Sequence, residues 1–171
     1  MDVNEEIVKQ WLHSCKQQFT IDDIRFKVFG PKGGSNYSNV DLLAVDKAGK
    51  YYDYEIKWRS VYSLGATDKE TPAALINQML RKERVEKIKS IIGRKPYQKI
   101  FITTYQMFGR SQEKRDKFVK IFNSNKIQVL FFEEIIKELV SAIDVKGRYD
   151  SEVLQTIRMI KYFDLLKESL D

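Results

Sequence analysis

Two short runs that alternate apolar and polar residues, Asn39–Asp46 (NVDLLAVD) and Lys50–Trp58 (KYYDYEIKW), are separated by Lys47-Ala48-Gly49. A period of two marks strands. A three-residue connection with glycine at a left-handed position closes an antiparallel hairpin. Such a loop also sets the register. With Asp46 paired to Lys50, Val45 falls beside Tyr51, Leu43 beside Asp53, and Asp41 opposite Glu55. Side chains alternate across a strand, so Asp41, Asp53, Glu55 and Lys57 share one face. Val40, Leu42, Ala44, Tyr52, Tyr54, Ile56 and Trp58 take the other, which reads as core.

Asn4–Phe19 places Ile7, Val8, Trp11, Leu12, Cys15 and Phe19 on one helical face. Ile24–Phe29 (IRFKVF) alternates and reads as a strand, followed by a Gly/Ser/Asn-rich loop, GPKGGSNYSN. Thr71-Pro72 reads as an N-cap with proline at the first helical position. The helix it opens runs towards Ile92 and stops at Gly93. Its apolar stripe drifts, which calls for a bend or for cover on several sides. A strand (Lys99–Thr103), a helix (Ser111–Asn123) and a strand (Ile127–Phe132) then form a parallel crossover. Helical segments at about 133–145 and 151–169 finish the chain. The expected fold is α/β: one domain with a mixed sheet flanked by helices, a core at about 4–140 and a helical extension at about 146–171.

The 171 residues suffice for one hydrophobic core. No apolar run is long enough to span a bilayer. MDVNEEIVKQ is acidic and amphipathic, unlike a secretory signal. One cysteine permits no intrachain disulfide, which suits a reducing, cytoplasmic setting. One cysteine and one histidine also leave a Cys/His zinc site without ligands. A metal here would sit on carboxylates, which favours Mg²⁺ or Mn²⁺. The net charge of +6 points to a polyanionic partner.

Carboxylates directly across a strand pair repel each other, and burial raises one pKa. A divalent cation between Asp41 and Glu55 removes that cost, with the Ile56 carbonyl as a candidate further ligand. Lys57 can orient or deprotonate a water and stabilise a developing phosphorane charge. Charged residues also alternate on the solvated face of many hairpins.

Asp41-x13-Glu55-Ile56-Lys57 resembles the active-site motif of the PD-(D/E)XK nuclease superfamily, the restriction-endonuclease-like class that includes archaeal Holliday-junction resolvases. The stretch IFITTYQMFGRSQEKRDKFVKIFNSNKIQVLFFEEIIKEL is similar to the βαβ unit that follows the active site in Mrr-type restriction enzymes. Val40 departs from the proline often found before the aspartate. The resemblance implies an αβββαβ core and a Mg²⁺-dependent endonuclease acting on DNA. It also implies a glutamate on the first helix that reaches the metal through water. Glu5 borders the apolar face of that helix while Glu6 points away, so Glu5 is the candidate, against a plain N-terminal acid favouring the macrodipole. Gln78 stands where relatives carry a glutamine facing the site, against an exposed helix glutamine.

Candidate phosphate contacts are Arg81, Lys82, Arg84, Lys87 and Lys89 on the helix from Thr71, then Arg94 and Lys95, with Lys32, Lys47 and Arg59 in or near loops. Gly33 and Gly34 let backbone amides approach a phosphate, and Tyr37 in the same loop can stack. Glu83 and Glu86 interleave with the helix cations, as on a solvated face. The apolar stripe of the last helix suits core packing or a homodimer interface. Two other functions compete with the nuclease: a catalytically silent nucleic-acid-binding module, and an interaction domain whose hairpin face is merely solvated.

Overall fold

The computed structural model describes residues 2–29, 34–58 and 71–165. The elements are α1 (Val3–Ser14), β1 (Phe19–Phe29), β2 (Ser35–Val45), β3 (Tyr51–Lys57), α2 (Pro72–Leu80), α3 (Lys82–Ile92), β4 (Tyr97–Thr103), α4 (Tyr105–Phe108), α5 (Gln112–Ser124), β5 (Ile127–Phe131), α6 (Phe132–Ala142) and α7 (Glu152–Tyr162). The five strands form one sheet in the order β1-β2-β3-β4-β5. β1 and β2 pair antiparallel, as do β2 and β3, and β3, β4 and β5 run parallel. The chain is therefore α/β with a mixed sheet flanked by helices.

The hairpin follows its loop chemistry. Gly49 has φ +77°, the Asp46 N–H donates to the Lys50 carbonyl at 3.1 Å, and Val45 pairs with Tyr51 and Leu43 with Asp53. The Asp46 carboxylate accepts the Ala48 and Lys50 N–H groups, each at 2.9 Å, and so pins the turn.

One face of the sheet packs Leu42, Ala44, Tyr54, Ile56, Ile100 and Ile102 against α1, α6 and Leu154 of α7. On the other face, Phe101 and Ile127 meet α2, α4 and α5. Ile24, Phe26, Val40 and Leu43 meet Ile88 and Ile92 of α3. These last two clusters explain a break in the expected Thr71–Ile92 helix. Leu75, Ile76 and Met79 serve one cluster, Ile88 and Ile92 the other, and the backbone re-aims between them at Arg81 (ψ 133°). Thr71 caps α2 through Oγ1, which accepts the Ala74 N–H at 3.1 Å.

Other boundaries move for local reasons. The helix expected to reach Phe19 stops sooner: Gln17 takes φ +53°, and Phe19 opens β1 and is exposed. The loop expected at Gly30–Asn39 shrinks, because β2 begins at Ser35, opposite Phe29. Asp164, with φ +60°, ends the last helix near Tyr162. Among the described residues no helix is long and apolar enough to cross a membrane.

Candidate active site

The β2–β3 ladder runs from Val45↔Tyr51 to Leu42↔Tyr54. One step further, Asp41 does the work of a strand partner with its side chain. Its Oδ2 accepts the Ile56 N–H at 2.7 Å, and Oδ1 accepts from Asn39 Nδ2 at 3.5 Å. Ile56 thus meets Asp41 through its N–H. On the other side of β2, Asp23 has φ +57°, and the Asp23/Asp41 pair is missing between Asp22↔Leu42 and Ile24↔Val40. Alternation reverses there. Val40, expected beside Leu42 and Ala44, packs instead with Leu43 against α3.

On β3 the alternation holds. Tyr54 and Ile56 enter the α1/α6 cluster, which leaves Asp53, Glu55 and Lys57 on the α2/α3 face. Glu55 is 1% exposed. Its Oε1 accepts from Gln78 Nε2 at 2.8 Å and from Lys57 Nζ at 2.7 Å. Its Oε2 accepts from Arg84 Nη1 at 2.5 Å. Gln78 is thus brought to the site from α2.

Arg84 corrects an expectation. Read as a phosphate contact, it is instead wholly buried. Its Nη2 and Nε donate to Asp53 Oδ1 and Oδ2 at 2.6 and 3.3 Å. The signal was present in the sequence: Arg84 stands four and eight residues before Ile88 and Ile92, on the buried stripe of α3. Like-charge repulsion at Glu55 is therefore relieved by Arg84 and Lys57 without a metal.

Asp41 is relieved less. Burial, then the charge of Glu55, pushes its carboxyl up to about 7, against the opposing effects of Lys57, the Ile56 N–H and Arg84. Among the described residues no Lys or Arg forms an ion pair with it. For Lys57, burial lowers the pKa, but the charges of Glu55 and Asp41 outweigh it and hold the group above its ordinary value. Lys57 is therefore an ammonium, suited to orienting and stabilising charge rather than to taking a proton. Thr103, its register partner on β4, is 1% exposed, and among the described residues its Oγ1 has no hydrogen-bond partner. Sequence reasoning missed this buried hydroxyl.

Asp41 opens into a cavity of about 400 Å³ lined by Asp2, Glu5, Asp22, Asp23 and Asn39. Glu5 faces this cavity, while Glu6 accepts from Gln10 Nε2 at 2.6 Å. Asp22 is held by Lys9 and Asp23 by Arg25. Among the described residues no three Asp, Glu, His or Cys side chains converge as a metal cluster by themselves.

The candidate phosphate contacts are dispersed. Tyr37 lies on β2 rather than in a loop; it is 70% exposed, and Lys27 Nζ stands 5.9 Å from its ring centroid. Gly34, just before β2, is exposed. Between Ile24 and Val40 the sequence holds Arg25, Lys27 and Lys32 and no acid, so this stretch of the β1–β2 hairpin is basic, whereas the rest of the hairpin carries Asp22, Asp23 and Asp41 at the acidic cavity. Arg81 is half-buried at the α2–α3 junction, and Lys82 is exposed, 3.7 Å from Glu86. Lys32, Gly33 and Arg59 lie outside the described residues. No family model matches the chain, and neither a curated protein nor a solved structure matches it.

Proposed function

We propose that this chain is a Mg²⁺- or Mn²⁺-dependent endonuclease of the restriction-endonuclease-like class that hydrolyses DNA phosphodiester bonds. The observation that carries the reading is Asp41: a buried carboxylate, raised in pKa and without an ion-pair partner among the described residues, beside Glu55–Lys57 and open to a cavity shared with Glu5. The α/β architecture, a mixed sheet in which a helix and three antiparallel strands precede a parallel strand, supports the reading.

The residues present fit such an ion. Mg²⁺ is commonly held by one or two carboxylates and completes its shell with water and phosphate oxygens, so it needs no dedicated cluster. Asp41, which opens into the cavity, would hold it together with the lone pairs of Glu55 that its three donors leave open, with Glu5 reaching it through water. When bound, it would supply Lewis acidity and an activated water. The chain does the rest. Glu55 keeps Oε1 against Lys57 and Gln78, which fixes the ammonium. Lys57 donates hydrogen bonds to charge that develops on the phosphate oxygens. The basic stretch between Ile24 and Val40 and Lys82 would neutralise neighbouring phosphates.

The test is cleavage of supercoiled plasmid, linear duplex, single strands and a four-way junction, with Mg²⁺, Mn²⁺ or EDTA. Lys57→Ala is expected to lower the rate about 100-fold or more, and Glu55→Gln to act in the same direction. Cleavage that survives EDTA, or that both variants retain, rules the reading out. A second reading, a silent binding module, is favoured by the three donors already on Glu55. It predicts salt-sensitive binding and no cleavage. Under either reading, Lys82→Ala should weaken duplex binding and reduce the slope of log K against log salt by about 1. An unchanged slope in fluorescence anisotropy removes Lys82 from the interface.

A further inference from the structure

Arg84 reaches from α3 to the sheet and meets two carboxylates of β3 at once. Nη2 and Nε clasp Asp53, Nη1 holds Glu55 Oε2, and Nη2 also reaches the Tyr54 carbonyl at 3.4 Å. Only a planar guanidinium presents donors in such a fork. A glutamate side chain has several torsions, and contacts at Oε1 alone let the carboxylate turn about that oxygen. With Oε2 held from behind, Oε1 has one place to be, between Lys57 Nζ and Gln78 Nε2. Arg84 has no exposed surface, so it acts on the site through Glu55 and not on a substrate.

We propose that Arg84, anchored by Asp53, is the positioning residue of this site: it fixes the Glu55 carboxylate and, through Oε1, the Lys57 ammonium. Its kinetic consequence rests on the nuclease reading; its structural consequence does not. Arg84→Lys keeps a positive charge that can meet one carboxylate at a time but lacks the fork. Asp53→Asn keeps Arg84 and weakens its anchor.

Both variants are compared with wild type in Tm, metal-free duplex Kd, kcat and KM, and the NMR resonance of the Lys57 ammonium. The expected result for Arg84→Lys is a folded chain with unchanged Kd and KM. Its kcat should fall about 10–100-fold, and the Lys57 signal, hydrogen-bonded in wild type, should move towards that of a free lysine. Asp53→Asn should shift both in the same direction by less, and it carries the test if Arg84→Lys does not fold. A folded variant that keeps the wild-type kcat and Lys57 resonance overturns the proposal and reduces Arg84 to a stabilising role. A loss of duplex affinity overturns it too, since the guanidinium would then be meeting nucleic acid. If wild type cleaves nothing, the Lys57 resonance still decides. A shift in the variants upholds the positioning role while the nuclease reading fails, and no shift overturns the role as well.

Discussion

Arg84→Met will lower the stability of the chain by about 3–5 kcal/mol, seen as a fall in Tm of roughly 10 °C for a protein of this size. Methionine suits a helix and keeps much of the buried stem. What it removes is the cation between Asp53 and Glu55, which are 0% and 1% exposed. Glu55 keeps Lys57 and Gln78, but Asp53 loses the partner of both its oxygens. A buried carboxylate left without its partner bears the desolvation penalty alone. Adding Asp53→Leu to Arg84→Met should recover part of the loss, because an apolar pair replaces a charge that has nothing to meet. Lys82→Met, two residues earlier on an exposed position, should change stability by about 0.5 kcal/mol or less. Urea midpoints equal for wild type and Arg84→Met would mean that the clamp contributes nothing to the fold.

The clamp also shows where sequence reasoning stopped. The hairpin was legible because a three-residue loop and a period of two determine which residues oppose each other, and Asp53, Glu55 and Lys57 do share a face. Glu5 was separable from Glu6 by its angle around α1, and it is Glu5 that lines the cavity with Asp41. Arg84 was misread because composition classed it with its basic neighbours, although its four-residue spacing to Ile88 put it on the buried stripe. The reversal at Asp41 had no such signal. Alternation presumes an unbroken ladder, and the break comes from a left-handed Asp23 on a neighbouring strand. Gln17 is similar: a left-handed residue that apolar periodicity cannot register, and the reason Phe19 belongs to β1. The short α4 was also invisible. Its buried pair, Met107 and Phe108, gains meaning only once Phe101 and Phe122 stand around it.

Asp41→Asn will make the metal-free protein more stable than wild type at pH 7 and above, and the gain will disappear near pH 4. In the unfolded chain this carboxyl titrates near its ordinary 3.8, whereas in the folded chain burial and Glu55 push it up to about 7. Below 3.8 both states hold the proton, and Asp41 costs nothing. Between these values the folded state holds more protons than the unfolded one, so stability falls as pH rises. Above 7 the cost is complete and level, on the order of a few kcal/mol. Asparagine stays neutral, and its Oδ1 can still accept the Ile56 N–H. Asp22 and Glu138 act in the opposite sense, because hydrogen bonds from Lys9 and Lys16 lower their pKa values and their contributions are lost in acid. The quantity to read is therefore the difference in urea midpoint between variant and wild type, which should grow from pH 4 to 7 and then flatten. Mg²⁺ or Mn²⁺ added at pH 8 should raise the wild-type midpoint, because binding to the folded state alone stabilises it, and leave Asp41→Asn nearly unmoved. A difference that is flat with pH would show that Asp41 is already satisfied. A metal effect equal in both proteins would place the ion away from Asp41, and with it any catalytic role for this carboxylate.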